Sequence, residues 1–139
     1  MLTQTATNAF KTGLMSGTYN FNTNAFKIAL YTANATLDAT TAVYTSTNEI
    51  TGTGYTAGGN SLTVTTTPTT GSSGNVAYIS FANVSWSGAL TARGALIYDV
   101  TNGNQTVCVL DFGGDKTSTT TFTVQFPAAT NTSAIIRIA

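Results

Sequence analysis

The apolar positions change period once along this chain, and the change divides it into two kinds of structure. Near the N-terminus, Ala6, Ala9, Phe10, Gly13 and Leu14 recur at i, i+3, i+4, i+7 and i+8, the stripe of an amphipathic helix. Asn8, Lys11 and Thr12 occupy its other side, Thr3 or Thr5 is placed to cap its start, and Gly17 can close its end. From Ala25 onward the period becomes two. Phe26, Ile28 and Leu30 alternate with Lys27, Ala29 and Tyr31, which predicts a strand with one buried face. Residues 34–47 hold only Leu37, Val43 and Tyr44 as anchors and read as an irregular loop with a short helical turn near 38–42. Gly52, Gly54, Gly58 and Gly59 then bracket Tyr55 in a flexible loop. Leu62, Val64 and Thr66 begin another strand that ends near Pro68, and 69–75 has pure turn composition.

The second half is more regular. Ala77, Ile79 and Phe81 predict a strand running on through Val84 and Trp86 until Gly88. Asn102-Gly103 between two apolar runs is the pair favoured by a two-residue type I′ hairpin. That turn sets Tyr98 opposite Val107, Ile97 opposite Cys108 and Leu96 opposite Val109, with Asp99 opposite Thr106 and Asp111 opposite Gly94. Both faces of the hairpin are apolar, so both need cover. Gly113-Gly114-Asp115 reads as a further turn. Phe122, Val124 and Phe126 form a strand stopped by Pro127, and Ala134, Ile136 and Ile138 supply the last. About eight short strands at this spacing predict an all-β fold, an antiparallel β-sandwich of jelly-roll kind with one short N-terminal helix. Residues 1–20 are assigned to a helix or arm and 21–139 to the sandwich. The helix either plugs one end of the sandwich or docks on a neighbouring subunit.

Composition narrows the chemistry. The chain has 31 threonines, no histidine and charge on only 7% of its positions, against roughly 25% in an ordinary soluble domain. Threonine suits strands through its β-branched side chain while its hydroxyl faces water. Lys11, Lys27, Arg93, Lys116 and Arg137 are scattered and balanced by five acids, so nucleic-acid binding is not expected. No apolar stretch approaches the roughly 20 residues of a membrane helix, and the first residues lack the pattern of a signal peptide. A lone Cys108 excludes an internal disulfide and, with no histidine, argues against zinc. Its apolar neighbours make it an inert, buried thiol.

Without histidine, acid–base catalysis would need a tuned carboxylate pair, and nothing in the spacing of Asp38, Glu49, Asp99, Asp111 and Asp115 argues for one. Asp111 and Asp115 beside two glycines make a weak Ca²⁺ loop and a better turn. The N-x-[ST] triplets at Asn34, Asn83, Asn104 and Asn131 arise by chance in so threonine-rich a chain. No enzyme activity and no cofactor are expected. Tyr19, Tyr31, Tyr44, Tyr55 and Trp86 could stack on sugars or fill a partner's pocket, although most of them suit positions straddling core and solvent. Tyr55, on its glycine loop, is the exception.

The segments F26-K-I-A-L-Y-T, T36-L-D-A-T-T-A-V-Y-T-S-T-N-E-I, G52-T-G-Y-T-A-G-G-N-S-L and A95-L-I-Y-D, with V109-L-D-F-G-G-D-K and F122-T-V-Q-F-P-A-A, resemble small virion structural proteins of tailed bacteriophages. The resemblance covers most of the chain after Ala25 and carries no catalytic residue. It implies synthesis in the host cytoplasm and a place on the capsid surface as a decoration (cement) protein. The major capsid protein would be its partner and a dimer or trimer its own assembly. The alternative is a tail or fibre component contacting host glycans. Phe10, Leu14 and Met15 on the N-terminal segment, with Tyr55, are the expected partner-binding residues.

Overall fold

The computed structural model describes residues 1–72 and 74–139. Ser73, inside the stretch read as turn, lies outside the described residues. The chain forms β1 (Thr5–Ala6), α1 (Asn8–Ser16), β2 (Phe26–Tyr31), β3 (Asn60–Leu62), β4 (Val64–Thr69), β5 (Ala77–Phe81), β6 (Val84–Ser87), β7 (Thr91–Asp99), β8 (Gln105–Thr117), β9 (Thr121–Val124) and β10 (Ile136–Ile138). All strand pairs between these elements are antiparallel, as expected for a sandwich-like all-β fold. One layer is a five-stranded sheet ordered β1-β8-β7-β2-β3. The other is split into β10-β5-β4 and β6-β9. The strand expected to run unbroken from Ala77 to Trp86 is thus two strands in two sheets, parted at Ala82-Asn83.

The main core lies between these layers. Phe26, Ile28, Leu30, Ala95, Ile97 and Val107 of the large sheet meet Ile79 and Phe81, and Val84, Trp86, Phe122 and Val124, from the two small ones. A second core lies on the back of the large sheet, where Ala29, Tyr31, Leu96, Tyr98 and Val109 pack with Leu2, Ala35 and Leu37. Strand β2 is therefore buried on both faces, not on one as its alternation suggested. The cover is irregular chain: Thr3 N–H donates to Leu37 O (2.9 Å), and the N-terminal ammonium donates to Ala35 O (2.8 Å). No helical turn forms at 38–42; a turn closed by Thr41 N–H on Asp38 O (3.1 Å) stands there instead.

The β7–β8 hairpin keeps the expected pairing of Ile97 with Cys108, Leu96 with Val109 and Gly94 with Asp111. Its tip differs. Tyr98 pairs with Thr106 and Asp99 with Gln105, across a bulge between Ile97 and Tyr98. The left-handed residues are Gly103 (φ 66) and Asn104 (φ 61), one step later than a two-residue Asn102-Gly103 turn requires. Asp99 causes the shift. Its carboxylate is fully buried and accepts from Thr101 N (3.0 Å), Asn102 Nδ2 (2.8 Å) and Asn24 Nδ2 (2.7 Å). Asn102 is thus drawn inward to bond Asp99 and Thr18 O, and the turn lengthens around it. Gly113-Gly114-Asp115 is not a turn either. Strand β8 continues to Thr117, opposite Thr91, and the glycines fall in the irregular stretch between the Gly94–Asp111 and Ala92–Lys116 pairs, a bulge that bends one strand without ending the ladder.

The N-terminal segment is built into the sandwich. Ala6, expected on the helix, belongs to β1 and pairs with Cys108. Thr7, rather than Thr3 or Thr5, caps α1: it is extended (φ −77°, ψ 158°) and its hydroxyl accepts from Phe10 N–H at 3.2 Å. Gly17 ends the helix in the left-handed conformation (φ 76°) and returns bonds to Gly13 and Leu14. Phe10 packs edge-on to Tyr19 and Phe21 in the main core.

Candidate functional site

Two places gather chemistry: a buried carboxylate hub alongside β2, where Glu49 bridges to Tyr31, and an open seam beside α1. The hub is Glu49, only 9% exposed. Its Oε1 accepts from Tyr55 Oη (2.5 Å) and Gly58 N–H (2.8 Å), and its Oε2 accepts from Tyr44 Oη (2.6 Å). Tyr55 Oη in turn accepts from Leu30 N–H (2.9 Å). Tyr98 Oη reaches Gly58 O (2.6 Å), and Tyr31 Oη reaches Thr45 O (2.5 Å). One carboxylate thereby ties residues 44, 55 and 58 of the irregular cover to β2. Burial first and the Glu49 charge second push the Tyr98 phenol up to about 12. Burial and the same carboxylate raise Tyr31, Tyr44 and Tyr55 further. Phenols held neutral in this way donate hydrogen bonds and do not act as bases. The hub is a clasp.

Tyr55 therefore does not stand free on its loop. It is half-buried, its hydroxyl is engaged on both sides, and its ring lies 6.0 Å from that of Trp86. Trp86, Tyr19 and Tyr31 are buried as well. Cys108 is buried in β8 opposite Ala6 of β1, and burial pushes its thiol up to about 12, which disfavours the thiolate at neutral pH. Asp111 accepts from Gly113 N–H (2.9 Å) and pairs with Arg93 Nε (3.0 Å), which together hold its carboxyl below the usual carboxylate range. That pair is partly exposed, and solvent screening keeps its contribution to stability small. Among the described residues no three acidic or cysteine side chains gather where a metal could bind, and no helix is long and apolar enough to cross a membrane.

The seam is an open site. Hollows of about 400 and 330 Å³ flank α1 and share Phe10, Leu14, Ile136 and Ile138 as walls. Of the expected partner-binding residues, Phe10 is committed to the core at 4% exposure, because its place on the apolar stripe faces the sheets. Leu14 is half-buried between the hollows, and Met15 is 83% exposed. Tyr55 belongs to the Glu49 hub, with its ring against the main core. The structure thus brings Leu14 together with the C-terminal strand, which sequence reasoning placed only in the fold. The signal was present in the alternation of Ile136 and Ile138 around Arg137, and Ile138 remains 53% exposed. No protein-family model, curated protein or solved structure matches this chain.

Proposed function

We propose that this chain is a bacteriophage virion structural protein: a capsid decoration protein that bridges and stabilises neighbouring major capsid subunits, itself as a homo-oligomer. The observation that carries the reading, beside the resemblance in sequence, is the division of polar groups between interior and surface. The buried carboxylates Glu49 and Asp99 are each held by three donors of the chain's own. The outward face is hydroxyl and apolar side chain with few charges. Burying such a surface against a partner avoids the large cost of desolvating charge. A protein that binds only the assembled shell stabilises that shell by mass action.

In the adsorption alternative Tyr55 and its glycine loop would contact a host glycan. Its hydroxyl is bonded to Glu49 and Leu30 and its ring is half-buried 6.0 Å from Trp86, so a sugar would have to stack on the part of the ring left exposed. Co-sedimentation of the purified chain with empty capsid shells tests the decoration reading. Saturable binding to shells, absent with unassembled capsid subunits, supports it; failure to bind shells rejects it.

A further inference from the structure

The seam beside α1 has three properties that together specify an occupant. Its walls are apolar: Phe10 and Leu14 from the helix, Val107 from β8, and Ile136 and Ile138 from β10. One wall is a strand edge. Strand β10 lies at the end of its sheet and pairs only with β5 among the described residues, so its other edge offers backbone donors and acceptors to an added strand. The third property is charge. Lys11 and Arg137 both line the 330 Å³ hollow, no acidic side chain lines either hollow, and neither cation has a carboxylate partner among the described residues. Arg137 is steadied by its own loop, its Nη1 donating to Thr132 O at 2.6 Å. In a chain with only five cations, placing two on one apolar groove without a counter-charge defines the complement.

We propose that the seam takes an extended segment of a capsid-shell subunit in which apolar side chains alternate with acidic ones, added as a strand along β10. The period of two puts the apolar side chains over the floor formed by Phe10 and Val107 and turns the carboxylates toward Lys11 and Arg137. This rests on the decoration reading for the identity of the partner, but not for the chemistry of the groove.

The peptide acetyl-Val-Glu-Val-Glu-Val-amide, titrated into the isotope-labelled full chain, is the direct probe by NMR. Saturable shifts at Ile136–Ile138 and Leu14 are expected. Affinity should fall about tenfold for the corresponding lysine peptide and in the Lys11→Glu/Arg137→Glu variant, as the loss of two exposed charge pairs implies. Both replaced side chains are exposed, so the variant should stay folded with at most a small drop in thermal midpoint from loss of the Arg137–Thr132 hydrogen bond. No saturable shift on β10, or equal binding of the lysine peptide, overturns the proposal. Shell co-sedimentation separates the two readings. Wild-type and variant chains that load shells equally overturn the seam and leave the decoration function standing. A wild-type chain that fails to load rejects the function, while the peptide titration still decides the groove's chemistry. A concentration-dependent dimer abolished by Ile138→Asp would assign the seam to a second copy and overturn the partner named here.

Discussion

At the residue scale, the chain uses its few ionisable groups as fasteners. Glu49 satisfies three donors at once, so Glu49→Ala leaves two phenols and a backbone N–H without their acceptor. Each buried donor left unsatisfied costs ~1–3 kcal/mol. We expect a loss of about 2–4 kcal/mol, given partial rescue by water, read as a lower urea midpoint with an unchanged slope. The tyrosines give a second test. The unfolded chain releases phenolic protons near pH ~10, whereas Tyr19 and Tyr98 hold theirs to about 12, mainly through burial. Their contribution to stability is therefore complete below pH ~10 and lost as pH rises toward the folded values. The urea midpoint should fall between pH 9 and pH 11, and tyrosinate absorbance should appear together with unfolding. A midpoint that holds steady over that range contradicts the account. Glu49 was not legible as a hub because its partners are set by the path of an irregular loop. Tyr55 looked free because glycines surround it; in fact they let the loop press close, with Gly59 against the backbone of Ile28.

At the scale of elements, alternation alone located β2, β5, β9 and β10, and the hairpin pairs Ile97–Cys108 and Leu96–Val109 followed from the turn signal. What escaped was every place where a side chain overrode a local rule. Asp99 and Asn102 lengthened the turn, and β8 ran on through a glycine pair because the bulge preserves pairing out to Thr91–Thr117. The N-terminal helix was legible, but its ambiguity between plug and arm was not resolvable from a stripe of five apolar residues. Its packing now gives a definite expectation. Deleting residues 1–17 removes Phe10 from the main core and Leu2 from the back of the large sheet, along with β1 and its pairing to β8. Truncating one buried Phe costs ~3–5 kcal/mol, a large part of the ~5–15 kcal/mol that holds a domain together. Circular dichroism of the truncated chain should show no cooperative thermal transition. A truncated chain that melts cooperatively would show that the segment is a detachable arm.

At the scale of the whole molecule, an interior fastened by its own carboxylates is joined to a surface of hydroxyls and an apolar seam that carries Lys11 and Arg137. Such a molecule satisfies its buried carboxylates from within and still has an open strand edge at β10. Neither the seam nor its charge could be read along the chain, since α1 and β10 lie at opposite ends of the sequence and meet only when the sandwich closes. Electron cryomicroscopy of intact particles that carry this chain tests the central claim most directly. The account predicts regular density for the sandwich on the outside of the head, bridging neighbouring capsid subunits, with α1 and β10 facing the shell. Density confined to the tail or its fibres, or a head shell without it, would contradict the claim.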